Sequence, residues 1–195
     1  VDKLSDEELL TIKVEDVTTA VKDEFEDEHV ETVEEIMAEL NQMVGLSEIK
    51  QNVLTLINFI RTQKRLIANG HEADEITLHS VFFGPPGTGK TTVARLIGRI
   101  YKALDLLAKG HLVEATRADL VAEFVGQTAI KTNQVIDSAM YGVLFIDEAY
   151  SLTSAKGSND FGSEAVTALL KRMDDERDKL AVIVAGYTEE MQQLI

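Results

Sequence analysis

The chain has 195 residues, of which 45% are apolar and 27% charged, a globular composition without an apolar run long enough to span a bilayer. Cysteine is absent, which excludes disulfides and thiolate metal sites and fits a reducing compartment, so we expect a cytoplasmic protein with no membrane partner. The net charge is −15, and residues 1–39 contribute −12 of it, with fifteen acids and three lysines. Because neither part of the chain carries an excess of basic residues, it lacks the basic surface that nucleic-acid binding requires.

The acidic segment, residues 1–40, is predicted to be mainly helical. Ser5 and Glu8 have the spacing of a capping box, and apolar residues recur three and four positions apart from Val30 to Leu40. Two interpretations of its charge stay open. We favour a solvated helical arm, and the alternative is a docking surface for a basic partner.

Residues 41–195 are predicted to form one domain in which strands and helices alternate. An amphipathic helix is predicted from Ser47 to a stop at Asn69-Gly70. This alternation indicates an α/β fold, with a mostly parallel sheet covered by helices on both faces. The predicted strands are 76–83, 111–115, 142–146 and 180–185, and the predicted helices between them are 89–107, 128–140 and 161–175.

A phosphate-binding loop is the most specific motif in the chain. Residues 84–91 have the sequence Gly-Pro-Pro-Gly-Thr-Gly-Lys-Thr, which matches the G-x-x-x-x-G-K-[ST] pattern between a predicted strand and a predicted helix. Glycines let backbone N–H groups wrap around phosphates, Lys90 can reach the β- and γ-phosphates, and the Thr91 hydroxyl can bind Mg²⁺. The residues predicted to contact ATP here are Pro86, Gly87, Thr88, Gly89, Lys90, Thr91 and Thr92, the last without an assigned role.

Two acids follow the predicted strand 142–146. Open parallel sheets place their ligands at the carboxyl ends of the strands, so Asp147 is predicted to hold Mg²⁺ directly or through water. Glu148 is predicted to polarise the water that attacks the γ-phosphate, and with Lys90 it is a predicted catalytic residue. Nucleotide binding alone does not require such a base, so Glu148 favours hydrolysis over simple binding.

These motifs together resemble those of the AAA+ ATPases, and more closely those of the CbxX/CfqX family within that superfamily. The resemblance covers about residues 40–195 and extends to segments 43–46, 111–120, 142–150 and 181–187. It implies the three-layer fold of P-loop NTPases, with ATP and Mg²⁺ as ligands and Mg-dependent ATP hydrolysis. It further implies a ring of copies, expected to be a hexamer, that remodels a protein substrate which the sequence does not identify.

The resemblance also implies roles outside the two main motifs. Val44-Gly45-Leu46 matches the turn that lines the adenine pocket, although a plain helix-breaking turn would have the same sequence. Phe124-Val125-Gly126 matches the loop that faces the central pore, where an aromatic side chain can grip an extended polypeptide. The alternative for Phe124 is a core position that closes the preceding helix.

The chain departs from the family pattern at the sensor and at its end. Tyr187 aligns with a polar residue that contacts the γ-phosphate or the attacking water, often Asn in relatives, and Thr188 could supply the polar group instead. Family members continue with an arginine finger, a last strand and a helical lid, which would lie beyond Ile195, since Arg172 and Arg177 come too early. Because the finger contributes on the order of 10³ or more in rate, we expect this chain to bind ATP more reliably than it cleaves it.

Two functions from different classes follow from these residues. The first is an ATP-driven protein remodeller that works as a ring. The second is a nucleotide-dependent binding or scaffold module, in which ATP sets a conformation and the acidic segment recruits a partner. A small-molecule kinase on the same loop is disfavoured by the Asp147-Glu148 pair.

Overall fold

A four-stranded parallel sheet organises the part of the chain that the computed structural model describes, namely residues 31–74, 76–124, 126–153 and 161–192. All three strand pairs are parallel, and the order across the sheet is β1-β4-β3-β2. The predicted parallel α/β fold is therefore confirmed. The strands are β1 (Ser80–Phe83), β2 (Leu112–Ala115), β3 (Val143–Ile146) and β4 (Ala181–Gly186).

Helices connect these strands close to the predicted positions. Helix α3 ends earlier than expected, because Asp105 takes a left-handed conformation (φ 50°) just after it. Among the described residues, no helix is both long and apolar enough to cross a bilayer. The helices are α1 (Val33–Gln42), α2 (Ser47–Ala68), α3 (Lys90–Ala103), α4 (Arg117–Leu120), α5 (Thr128–Ala139), α6 (Gly162–Asp175) and α7 (Thr188–Gln192), with a 3₁₀ helix at Ala149–Leu152.

Two apolar cores lie on opposite faces of the sheet. Side chains alternate along a strand, so Val143 and Phe145 of β3 join the core formed with α1, α2 and α3. Leu144 and Ile146 join a second core with α5, α6 and the 3₁₀ helix. All four side chains are buried, as expected for a central parallel strand with both faces covered. The result is the three-layer arrangement of P-loop NTPases.

Helix α1 packs into the first of these cores. It begins at a capping box in which the Thr32 side chain accepts from the backbone N–H of Glu35 and the Glu35 carboxylate accepts from the backbone N–H of Thr32. Ile36 and Leu40 on its inner face are fully buried. The boundary at residue 40 stays a prediction, and the predicted helix at Ser5 lies outside the described residues.

Ion pairs on the outer side of α1 tie it to α3. The Arg99 guanidinium donates to both carboxylate oxygens of Glu31 and lies 2.7 Å from Glu39. These carboxylates raise the pKa of Arg99 further above its ordinary value. Glu34 lies 2.7 Å from Arg61 of α2. Several acids from the end of the acidic segment are thus partnered within the fold.

Candidate nucleotide site

The phosphate-binding loop connects β1 to α3 at the carboxyl edge of the sheet. The backbone N–H of Gly84 donates to the carbonyl of Gly186 at 3.2 Å, which attaches the start of the loop to the end of β4. Gly87 (φ +72°) and Gly89 (φ +83°) both take left-handed conformations that favour glycine. Residues 85–88 are exposed, so the loop presents its backbone to solvent.

Lys90 lies folded over this loop. Its ammonium Nζ donates to the carbonyls of Gly84 and Pro85, each at 3.0 Å. Both Lys90 and Thr91 are half-buried in the first turn of α3, whereas Thr92 points to solvent. The ammonium therefore already lies at the loop, where phosphate oxygens would be stronger acceptors than neutral carbonyls.

The side chains of the two acids after β3 point in different directions. The backbone N–H of Asp147 donates to Ala115 of β2 at 3.0 Å, and its Oδ1 accepts from the N–H of Glu148 at 3.0 Å. Glu148 has φ 50° and ψ 43°, a left-handed conformation that a non-glycine residue adopts at a cost of roughly 1–2 kcal/mol. As a consequence Asp147 stays half-buried, and Glu148 is exposed and directed elsewhere.

Tyr187 connects the acid pair with the phosphate-binding loop. Its hydroxyl lies 3.5 Å from Oε1 of Glu148, and the Nζ of Lys90 lies 5.8 Å from the centre of its ring. The Tyr150 ring packs beside it, with 5.9 Å between centroids. The structure thus brings Lys90, Tyr187 and Glu148 together, whereas Thr188 is exposed at the start of α7.

Sequence reasoning did not identify Tyr150 as part of this cluster. Partial burial and the nearby Glu148 carboxylate raise the pKa of its phenol. A Cβ atom on Gly186 would lie 2.9 Å from the Tyr150 ring and 2.8 Å from Met191, so a larger residue there would displace one of these side chains. An aromatic residue two positions after an acid pair is a weak sequence signal, because it is equally typical of a core position.

The turn at residues 43–46 lies against the phosphate-binding loop. A Cβ atom built on Gly89 would lie 3.2 Å from the Cε atom of Met43. Gly45 (φ 75°) and Leu46 (φ 59°) are both left-handed, and Val44 is 99% exposed. The residues predicted to line the adenine pocket are therefore next to the predicted phosphate site.

Comparison with known proteins identifies the family. Residues 80–195, more than half of the chain, match the family described as ATPase family associated with various cellular activities (AAA). The chain belongs to this family. Stage V sporulation protein K of Bacillus subtilis is 44% identical over 163 residues, which are 84% of this chain and 50% of that protein. The ESX-3 secretion system protein EccA3 of Mycolicibacterium smegmatis is 47% identical over 161 residues, 83% of this chain and 26% of that protein.

These relatives confirm the resemblance to the CbxX/CfqX family. The chain spans half the length of the first relative and about a quarter of the second. Among solved structures, the AAA domain of FIGL-1 in complex with ADP superposes with a TM-score of 0.52 at 23% identity, covering 75% of this chain and 48% of that one. That likeness shows the AAA fold.

The side chains of this AAA core fit Mg²⁺ that arrives with a nucleotide. Within the described ranges, no three His, Asp or Glu side chains converge to bind a metal. Mg²⁺ bound to nucleotide phosphates needs only one or two protein ligands and keeps several waters. The Thr91 hydroxyl and the Asp147 carboxylate are oxygen donors of the required kind. Both are half-buried: Thr91 is the last residue of the phosphate-binding motif, and Asp147 directly follows β3.

The two described residues of the predicted pore loop, Phe124 and Gly126, are exposed. Phe124 is 65% exposed, so its alternative interpretation as a core residue is wrong. Gly126 is exposed with φ +77°, and Val125 lies outside the described residues. The base of the loop is fixed, because the Thr128 hydroxyl accepts from the N–H of Ala122 at 3.1 Å.

The two arginines that come too early to be arginine fingers make ion pairs within the fold. The Arg172 guanidinium donates to Asp137 at 2.8 Å and to Asn133 at 3.2 Å, which joins α6 to α5. Arg177 donates to Asp174 at 2.7 Å, three residues earlier in the chain. The first contact joins two helices, and the second lies at the end of α6.

Proposed function

We propose that this chain is the nucleotide-binding core of an AAA ATPase that binds ATP with Mg²⁺, hydrolyses it, and couples hydrolysis to the remodelling of a protein in a ring of copies. The observation that carries the proposal is the continuous path of contacts from Lys90 through Tyr187 to Glu148. The cation for the phosphates and the base for water are thereby neighbours at one edge of the sheet, where open α/β sheets bind ligands.

Each side chain in this proposal has one task. Lys90 would leave its carbonyl partners and neutralise the β- and γ-phosphates, while Thr91 and Asp147 would hold Mg²⁺, which supplies further positive charge at the phosphates. Glu148 orients and deprotonates the attacking water. Tyr187 contacts both Lys90 and Glu148, which supports the proposal that its hydroxyl responds to the γ-phosphate as a sensor. Val44, Gly45 and Leu46 contact the base.

The exposed Phe124 supports a protein as the substrate of the ring. An aromatic ring contacts backbone and side chain alike, so it can grip an extended chain without reading its sequence. A nucleotide-dependent binding module is the second candidate, favoured by the fifteen acids among residues 1–39. A cytoplasmic location and a hexameric ring stay predictions.

Thermal unfolding with and without Mg-ATP tests the nucleotide site. ATP at about 100 times its dissociation constant should stabilise the protein by about 2.7 kcal/mol, or roughly 5–10 °C for a domain of this size. Lys90→Ala should lose the shift, and Lys102→Ala, an exposed lysine on the same helix, should keep it. An equal shift with Lys90→Ala would contradict the assignment of the loop.

Glu148→Gln separates hydrolysis from binding. The amide keeps the size of the side chain and removes the base, so phosphate release should fall by about 10²-fold or more while ATP affinity is retained. In a ring this variant should stay in the ATP-bound state. The second candidate function predicts instead that partner binding by Glu148→Gln matches that of the wild type.

A further inference from the structure

Lys50 reaches back from α2 to the turn at residues 43–46. Its ammonium Nζ donates to the carbonyl of Met43 at 2.6 Å and to that of Asn41 at 3.0 Å. The side chain is half-buried. One cation from the following helix therefore satisfies two carbonyls at the point where α1 ends and the turn begins.

The turn needs such support for two reasons. Gly45 and Leu46 are consecutive left-handed residues, a backbone conformation that Leu46, which has a Cβ atom, adopts only under constraint. The last turn of α1 carries no basic residue of its own, so Lys50 supplies the cation near the negative end of its dipole, through the carbonyls of Asn41 and Met43. Without the ammonium, both carbonyls would lose a charged donor, and that of Met43 would lose it at a half-buried position.

The turn is held between fixed surfaces on one side and is open on the other. Met43 contacts the phosphate-binding loop at Gly89, and Leu46 packs against the apolar core below. Val44 is 99% exposed. The exposed side of the turn thus lies beside the predicted phosphate site.

We propose that Lys50 is a positioning residue for nucleoside recognition. It fixes the turn at residues 43–46 against the phosphate-binding loop in the shape that binds the base, while Lys90 and the loop bind the phosphates independently. The proposal rests on the nucleotide-binding function proposed above. It predicts that one substitution at Lys50 weakens the binding of the base and leaves the binding of the phosphates unchanged.

The test uses Lys50→Met, Lys50→Arg and a matched control, Lys64→Met. Lys64 lies on the same helix and also donates to a backbone carbonyl, that of Leu104, on a different part of the molecule. Calorimetric titration of each variant with Mg-ATP and with Mg-tripolyphosphate, which has no base, gives the two dissociation constants. Urea unfolding of the same variants shows whether each remains folded.

Lys50→Met should raise the dissociation constant for ATP about five- to tenfold, as expected for one or two lost charged hydrogen bonds, and should leave tripolyphosphate binding unchanged. Lys50→Arg should restore ATP affinity, because its guanidinium also donates to carbonyls. Lys64→Met should match the wild type. ATP affinity of Lys50→Met within twofold of wild type, or equal weakening of both ligands, would overturn the proposal. Failure of the wild type itself to bind ATP would instead overturn the proposed function.

Discussion

His79 makes the stability of the sheet sensitive to pH. It immediately precedes β1, and its ring Nδ1 accepts a hydrogen bond from the backbone N–H of Val182 in β4 at 3.1 Å. Its Nε2 lies 3.3 Å from the carbonyl of Met173 at the end of α6. Because Nδ1 must accept, the proton of the neutral ring lies on Nε2 and is donated to Met173. A second proton on Nδ1 would face the N–H of Val182 and break this contact.

The sign of the effect follows from these contacts. Burial lowers the pKa of His79 below its ordinary value near 6.5, and the Met173 carbonyl opposes that shift only partly. Between the folded pKa and about 6.5 the unfolded chain therefore binds more protons than the folded chain. The contribution of His79 is fully present above about pH 7, and it is lost as pH falls through this window, with a slope of at most about 1.4 kcal/mol per pH unit.

Urea unfolding of the wild type, His79→Asn and His79→Gln at about pH 7.5 and about pH 5.5 measures this contribution. The Asn oxygen takes the place of Nδ1, so His79→Asn should keep the Val182 contact and lose roughly 1 kcal/mol at the higher pH. The Gln side chain places its amide near the position of Nε2 and leaves the Val182 N–H unpaired. His79→Gln should therefore lose roughly 1–3 kcal/mol of stability. The wild type should lose more stability than His79→Asn on acidification. If the two lose equal amounts, other groups cause the pH dependence and the reasoning is refuted.

Two further predictions concern α1 and the pore loop. Arg99→Ala should lower the free energy of unfolding by roughly 1–2 kcal/mol, because Arg99 pairs with both Glu31 and Glu39 and its side chain is only 30% exposed. Arg95→Ala removes an exposed ion pair and should cost less than about 1 kcal/mol in the same urea unfolding experiment. Equal costs for the two variants would show that the pairing of Arg99 with two acids adds no stability. Because the Phe124 side chain is exposed, Phe124→Ala should leave the melting temperature and Mg-ATP binding unchanged. It should abolish substrate remodelling by the assembled ring. Remodelling that survives this change would contradict the pore-loop role.

Features that depend on consecutive residues were predictable from the sequence. The phosphate-binding loop depends on glycine and lysine at fixed spacing, and it lies between a strand and a helix as expected. The central strands are continuous apolar runs, and β3 and β4 begin within a residue or two of their predicted starts. In these segments local pattern and tertiary burial favour the same structure, so neither overrides the other.

Features that depend on distant residues were not predictable. The first strand was predicted from residue 76 but begins at Ser80, because the N–H of Val182 is taken by the His79 side chain instead of the backbone of an extending strand. The Tyr187–Glu148 contact joins residues 39 positions apart, and the Lys50 contacts require knowledge of the direction in which α1 ends. Helix α4 was not predicted, although the Thr116–Asp119 capping box that starts it depends only on local residues.

The pairing of β1 with β4 has a consequence for the order of events during synthesis. Ser80 lies opposite Ile183, and among the described strands β4 is the neighbour that β1 pairs with. At roughly 5–20 residues per second, a ribosome reaches β4 on the order of 5–20 seconds after it has made β1. Until then Gly84 lacks the carbonyl of Gly186 that attaches the phosphate-binding loop to the sheet. The phosphate-binding loop is therefore attached to the sheet only after the last of the described strands has been made.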